Sequence, residues 1–193
     1  MNVYLLENSS LSFNRDGVYW IDAEKRVLVG VPENFDDILD LIEEEEIDIA
    51  FISHIHDIGP VHELQERAGC QIILHKDDGD PIKNIRKVVL AKDRYKIAPK
   101  MTLIHCPGHT PGSSFLKYEY SPKKYCLFTG DTLAAQNGKV VLAPPQYSQN
   151  TDLMVKSIKQ IVENHEFEAI LPSWGEQILQ NARQMTFKML SEL

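Results

Sequence analysis

The first half of the chain alternates short apolar runs with polar breaks, which is the pattern of strands joined by turns. Six such runs predict strands at Val3–Leu6, Val18–Asp22, Val27–Val31, Ile47–Ser53, Gln71–Leu74 and Lys87–Leu90. The run at 47–53 is almost continuously apolar, which is typical of a strand covered on both faces. This half therefore predicts several strands, at least one of them central in a sheet.

Four segments have the features of helices rather than strands. One begins at Asn34, and a second runs over Pro60–Ala68, where proline suits the first turn and Gly69 suits the end. Two more lie late in the chain, one capped by Thr151 and one over Gln177–Leu190. The apolar faces of the first and third helices are Phe35, Ile38, Leu41 and Ile42, and Met154, Ile158, Ile161 and Val162.

The second half adds five predicted strands between the helices. They are Met101–His105, Ser113–Tyr120, Lys124–Thr129, Lys139–Leu142 and Glu168–Leu171. No repeat, low-complexity tract or linker divides the chain, so we draw no domain boundary. The order of the elements predicts two sheets sandwiched between outer helices.

Composition narrows the possible partners. The chain has 193 residues, which suits one domain, and 20 basic against 28 acidic residues give a net charge of −8. This balance argues against binding to nucleic acid or to an anionic membrane. No apolar run reaches the roughly 18 residues of a membrane span, the start MNVYLLENSS has no signal-peptide features, and the three cysteines form no CxxC pair. We expect a cytoplasmic protein that acts on a small molecule.

Four sequence features place chemically useful side chains directly after predicted strands. His54 and His56 stand two positions apart, so their rings can point to one side and hold one metal ion. The segment His105–Gly112 reads HCPGHTPG, and its prolines and glycines force a tight loop around His109. The other two features are the segments Phe128–Thr132, which contains Asp131, and Ile170–Glu176, which contains Trp174.

Taken in order, these features resemble the motifs of the metallo-β-lactamase superfamily. That family reads THxHxDHxGG, PGHTPG, GDT and LPGHG, each after a strand, and Pro107–Gly112 matches PGHTPG letter for letter. The resemblance runs over nearly the whole chain. It implies the fold class α/β (α+β), with a four-layer αββα sandwich forming a single metallo-β-lactamase-like domain over residues 1–193. It also implies the metal ligands: His54, His56 and His109 match the three-histidine site, and Asp131 matches the bridging carboxylate.

The family's second metal site looks incomplete in this chain. Asp57 follows His56 directly, one residue earlier than in the family, and no histidine comes after it. Trp174 stands where the family has the histidine of LPGHG, and an indole N–H donates hydrogen bonds but cannot ligate a cation. We therefore expect at most one metal ion, with the indole buried in the place of the lost site. A role for His62 as a displaced ligand stays open, and Asp57 either contacts the metal pocket or caps the next helix.

The first functional hypothesis follows from the remaining ligands. Three neutral imidazoles with an open fourth position are typical of a hydrolytic zinc site, which lowers the pKa of bound water to about 7. The substrate would be a small ester, thioester or amide. Asp131 and Asp57 are the candidate catalytic carboxylates, because either one could orient the water.

Two further hypotheses stay open. Persulfide dioxygenases of this superfamily hold one iron through two histidines and an aspartate, and His54, His109 and Asp131 match that triad. This chain lacks the Arg-rich stretch that those enzymes have after the aspartate. The other hypothesis is a non-catalytic member of the superfamily that binds a ligand without turnover. Trp174 favours it, because a bulky indole could fill the vacated metal pocket. We accordingly expect zinc first and iron second, while neither the substrate nor the oligomeric state is indicated.

Overall fold

A computed structural model describes residues 2–6, 17–32, 38 and 45–193 of the chain. The helix predicted to begin at Asn34 lies outside the described residues, apart from Ile38, which is buried. Within the described ranges, the helices are too short or too polar to cross a membrane.

Thirteen strands and three helices are found in these described residues. The strands are β1 (Val3–Leu5), β2 (Tyr19–Ile21), β3 (Val27–Val29), β4 (Ile49–Phe51), β5 (Gln71–His75), β6 (Val88–Ala91), β7 (Arg94–Ala98), β8 (Met101–His105), β9 (Ser114–Ser121), β10 (Lys124–Gly130), β11 (Leu133–Gln136), β12 (Lys139–Leu142) and β13 (Ala169–Pro172). The helices are α1 (Val61–Ala68), α2 (Thr151–Asn164) and α3 (Ala182–Ser191). One sheet has the order β1–β2–β3–β4–β5–β6, the second has the order β13–β10–β9–β8–β7, and β11 pairs with β12.

Three apolar layers hold the two sheets and the helices together. Successive strand residues point to opposite faces, so each sheet can be covered on both sides. Phe51 of the first sheet and Phe128 of the second belong to the layer between the sheets. Leu64 of α1 packs in the layer outside the first sheet, and Ile158 of α2 packs with Leu127 outside the second. The expected four-layer αββα sandwich is confirmed.

The structure differs from the sequence pattern at two strands, at one helix boundary and at the cap of α2, which is Asn150 rather than the predicted Thr151. The pattern does not predict β7 or β11. The closing helix begins at Ala182 rather than at Gln177. Ile178 instead forms a bridge with Ile170, with backbone hydrogen bonds of 2.8 and 3.0 Å, and so extends the sheet beside β13.

The carboxyl ends of four strands, β4, β8, β10 and β13, meet at one edge of the sandwich. Strands β8, β10 and β13 run in the same direction, because β9 is antiparallel to both β8 and β10 while β13 is parallel to β10. The backbone N–H of Ser114 donates to the carbonyl of Ser53 at 2.9 Å, which joins β9 to the segment after β4. The backbone N–H of Ser173 donates to the carbonyl of Gly130 at 3.1 Å. The loops that follow these strands are therefore neighbours.

Candidate metal centre

Four side chains from three of these loops converge at the edge. Their facing ligand atoms lie within 4.8 Å of one another, and the residues are His54, His56, His109 and Asp131. Nδ1 of His56 is 3.2 Å from Nε2 of His109. Oδ2 of Asp131 is 3.3 Å from Nε2 of His54 and 3.8 Å from Nε2 of His109. All four residues that the sequence proposes as metal ligands thus form one cluster.

The spacing and chemistry of this cluster fit a metal ion. Zinc–nitrogen bonds of 2.0–2.1 Å place tetrahedral ligands about 3.3 Å apart, close to the two shorter distances in the cluster. Nε2 of His54 is buried and makes no regular hydrogen bond among the described residues, although Oδ2 of Asp131 lies 3.3 Å away. A buried polar atom in this state is costly unless something binds it. A cation held between these ligands would satisfy it.

Asp57 lies behind His54 rather than among the clustered atoms. Its Oδ2 is 3.1 Å from Nδ1 of His54 and accepts hydrogen bonds from the hydroxyls of Ser53 and, at 3.3 Å, Ser173. The Ser53 hydroxyl, 2.7 Å from Nδ1 of His54, donates its own proton to this carboxylate and so accepts the proton of Nδ1, which leaves the lone pair of Nε2 facing the cluster. The alternative role as a cap for α1 is wrong, because Pro60 is the residue before that helix and no side chain caps it.

Without a bound ion, the two buried histidines of the cluster have pKa values that are shifted in opposite directions. Burial lowers the pKa of His54, but the carboxylates of Asp57 and Asp131 outweigh burial and raise this pKa to about 10. Burial and the adjacent His54 lower the pKa of His109 to about 4. His54 then carries a proton beside a neutral His109, and a cation held by these residues would have to displace that proton.

Two glycines allow the loops to approach so closely. Gly130 has φ +54°, and a Cβ there would lie 2.3 Å from Oγ of Ser53. Gly108 has φ +140°, and a Cβ there would lie 2.3 Å from the backbone nitrogen of Met154 in α2. Both the left-handed backbone and the lack of space require glycine. These two positions explain why a glycine precedes His109 and another precedes Asp131.

Asp78 ties the histidine loops together, and the sequence analysis missed it. Its side chain is buried, and Oδ2 accepts hydrogen bonds from the backbone N–H of Ile55 at 2.9 Å and the hydroxyl of Thr110 at 2.6 Å. Oδ1 accepts from the backbone N–H of Gly112 at 2.8 Å. One carboxylate thus joins the loop of His54 and His56 to the loop of His109. Nothing in the sequence distinguishes it from the other aspartates nearby.

A cavity of about 680 Å³ opens beside the cluster. Trp174 lies on its wall and is half-buried, which corrects the expectation that the ring would be buried. The indole N–H donates to the backbone carbonyl of Asp131 at 2.9 Å, so the ring is held next to the cluster. Tyr147, 59% exposed, lines the same cavity. The aromatic ring therefore forms a wall of the cavity instead of filling the place of a second metal.

Other candidate residues lie outside the cluster. His62 is exposed on α1. His75 and His105 stack with their ring centres 3.7 Å apart and their planes at 9°, near Asp93. The lone pairs of two stacked rings lie in parallel planes and do not converge on one point. The stacked pair is therefore poorly arranged to bind a single ion. Burial raises the pKa of the Cys106 thiol, which makes this thiol unreactive.

Comparison with known proteins gives structural relatives only. No family model matches the chain, and no curated protein matches it. The structure of the chemotaxis sensor ODP in a peroxy diiron state superimposes with a TM-score of 0.72 and 18% identity, over 92% of this chain and 86% of that one. A B3 metallo-β-lactamase with an active-site glutamic acid gives a TM-score of 0.66 and 15% identity, over 99% and 86% of the two chains.

A metallo-β-lactamase from Staphylococcus aureus gives a TM-score of 0.64 and 18% identity over 80% of this chain. The present chain spans about half of that enzyme, 51% of its length. The shared part is the layered arrangement of two sheets and outer helices described above. At these identities the likeness concerns architecture: this chain has the metallo-β-lactamase fold.

Proposed function

We propose that the chain is a hydrolase that uses one metal ion, zinc first, to cleave an ester, thioester or amide bond in a small substrate. The observation that carries this proposal is the convergence of three imidazoles and the Asp131 carboxylate beside a large cavity. A zinc ion bound there would polarise a carbonyl group and lower the pKa of a water molecule to about 7.

The residues around the cluster support this chemistry. The Asp131 side chain is 23% exposed, so its carboxylate can reach both the ligand cluster and a water molecule in the cavity, and it can accept a proton from that water. Asp57 keeps the ring of His54 in the tautomer that a cation needs. Trp174 and Tyr147 offer aromatic surface on the cavity wall, which suits the apolar part of a small acyl substrate.

A single metal ion per chain is part of the same proposal. Asp57, which resembles the aspartate of the family's second site, is engaged with Nδ1 of His54 instead. Trp174 has no lone pair to offer and directs its N–H at the carbonyl of Asp131. His62 is exposed and does not belong to the group of converging ligand atoms. These three observations favour one ion over two.

A mononuclear iron oxygenase is the second candidate. His54, His109 and Asp131 supply the two histidines and one carboxylate of such a site, and Oδ2 of Asp131 lies 3.3 and 3.8 Å from the two imidazole nitrogens. The superposition on a protein described in a peroxy diiron state favours iron over other redox metals. An iron ion bound there would supply the redox chemistry by which molecular oxygen oxidises a substrate.

Metal analysis of protein purified without added metal separates these functions. We expect close to one zinc ion per chain, and hydrolysis of an ester and thioester panel that a chelator removes and zinc restores. Iron together with oxygen consumption on a persulfide would replace the first candidate with the second. Failure to bind any metal, even in excess, would contradict both and leave a ligand-binding protein without turnover. The His62→Ala variant is the control and should keep the metal content of the wild type.

Replacing Trp174→His tests the one-metal proposal directly. The variant regains the ring that the family has at this position, but Asp57 stays bound to His54 and no histidine follows it. We expect the metal content to stay at one ion per chain, and the lost indole hydrogen bond to lower stability by about 1 kcal/mol. Elemental analysis and thermal unfolding measure the two effects. Two ions per chain in this variant would show that the second site is only one ligand short.

We also propose a cytoplasmic location and a small-molecule substrate. The three cysteines are buried and unpaired, which suits a reducing cytoplasm. The net charge of −8 favours a small-molecule substrate over nucleic acid or an anionic membrane.

A further inference from the structure

A second cavity lies on the outer face of the second sheet, away from the metal centre. Arg94 pairs with Ile104, and Thr102 pairs with Lys117, so residues at these positions share one face of the sheet. Ile104 belongs to the apolar layer under α2, which identifies this face as the outer one. The cavity measures about 190 Å³, and His165, directly after the end of α2, lies at its side. Its volume is enough for a small polyatomic ion and some water.

The cavity collects positive charge on a chain that is acidic overall. Arg94, Lys100 and Lys117 line it together with His165, against one lining carboxylate, Glu119, while Glu166 acts on Lys117 from nearby. One oxygen of Glu119 accepts the backbone N–H of Lys123 at 2.9 Å. Among the described residues, none of these three cations makes an ion pair within 4 Å, whereas Lys124 and Arg183 on the same side of the molecule are paired with Glu168 and Glu166. Three unpaired cations in one concavity attract an anion.

The pKa values of Lys117 and His165 show that the positive charges around the cavity repel one another. Lys117 is half-buried with its ammonium 3.9 Å from the ring centre of Tyr125, and burial together with Arg94 lowers its pKa. Burial, followed by the charges of Lys117 and Arg94, also lowers the pKa of His165. Holding like charges together costs free energy that a bound anion offsets.

We propose that this cavity binds an oxyanion of the phosphate class, either free phosphate or the phosphate group of a small metabolite. The Arg94 guanidinium offers a planar fork for two oxygens, while Lys117 and Lys100 offer point charges from other directions. The hydroxyls of Thr102 and Tyr125 complete a lining with several donors. A ligand carboxylate has only two oxygens, so it would leave some of these donors without a hydrogen-bond partner. The site is separate from the metal centre and does not depend on the hydrolase proposal.

Proton NMR of the His165 ring tests the site in the full chain, because phosphate can also reach a metal centre and a local signal avoids that ambiguity. A bound anion stabilises the protonated imidazole, so we expect inorganic phosphate to raise the pKa of His165 by about half a unit or more. Sodium chloride at equal ionic strength is the reference. Glycerol phosphate is titrated in parallel, and the ligand that saturates at the lower concentration identifies the source of the phosphate group.

Two variants complete the test. Lys117→Met keeps the length of the side chain and removes one charge, and it should weaken phosphate binding at least about tenfold. Lys139→Met removes an exposed charge from β12, outside the cavity, and should bind as the wild type does. If neither phosphate nor glycerol phosphate shifts the His165 signal beyond the chloride reference, or if Lys117→Met binds as tightly as Lys139→Met, the proposal is overturned.

Discussion

Asp78→Ala is expected to lower the free energy of unfolding by about 4 kcal/mol and to weaken metal binding. The substitution removes the acceptor of three hydrogen bonds of 2.6–2.9 Å and leaves the N–H groups of Ile55 and Gly112 without it. Each buried donor that loses its partner costs roughly 1–3 kcal/mol. The metal loses affinity for a second reason, since the loops of His56 and His109 are no longer tied to one carboxylate.

Chemical denaturation measures the stability effect, and competition with a chelating dye measures the metal affinity. Asp80→Ala is the matched control, because Asp80 is 95% exposed and pairs only with Lys83 at the surface. The absorption spectrum of the cobalt-loaded protein separates positioning from stability, since it reports the geometry of the ligands in molecules that remain folded. An Asp78→Ala protein with an unchanged cobalt spectrum and metal affinity would show that Asp78 contributes to folding alone.

Local patterns identify most of the strands because the information lies within a few residues. The PGHTPG segment constrains its own backbone, and Gly108 explains the constraint: no other residue fits its φ of +140° beside α2. The strands at 101–105 and 139–142 have the bounds that their apolar runs predict. The grouping of the histidines with Asp131 comes instead from the resemblance of the four ordered motifs to the metallo-β-lactamase superfamily, since these residues lie far apart in the sequence.

The features that the sequence analysis missed have different origins, and Asp78 is the one that depends on distant contacts. β7 lies at the edge of the second sheet, and the alternation of Arg94 and Lys96 with apolar residues is a local strand signal that the sequence interpretation overlooked. Asn150, rather than the predicted Thr151, caps α2 by accepting the backbone N–H of Leu153 at 2.9 Å. Asp78 acts only through residues far from it in sequence, and its own neighbours give no sign of burial.

The half-buried state of Trp174 shows a further limit. From the sequence, an indole in place of a metal ligand suggests a ring that fills the lost site. In the structure, the N–H of Trp174 finds a partner in the carbonyl of Asp131, which holds the ring at the cavity wall. The partner of this indole lies 43 positions away in the sequence, so a local pattern could not reveal the contact.

Asp57→Asn is expected to weaken metal binding by roughly 10–100-fold, the usual cost of removing the acceptor behind a metal-binding histidine. The carboxylate of Asp57 lies 3.1 Å from Nδ1 of His54 and accepts the hydroxyl of Ser53, which lies 2.7 Å from the same nitrogen. Together they hold the proton on Nδ1 and leave Nε2 free for the cation. An amide at this position can present an N–H instead of an oxygen. That change favours the other tautomer, in which Nε2 carries the proton and cannot bind a metal.

The stoichiometry of this variant separates two roles for Asp57. If Asp57 only positions His54, the affinity falls while the protein still saturates at the same number of ions per chain. If Asp57 is itself a ligand of a second ion, the number of bound ions falls by one, which would contradict the placement of its carboxylate behind the ring. Asp152→Asn, at an exposed position on α2, is the control for the loss of one negative charge. Titration with zinc in the presence of a competing dye gives both the affinity and the number of sites, and wild-type affinity in Asp57→Asn would show that the contact with His54 does not matter for binding.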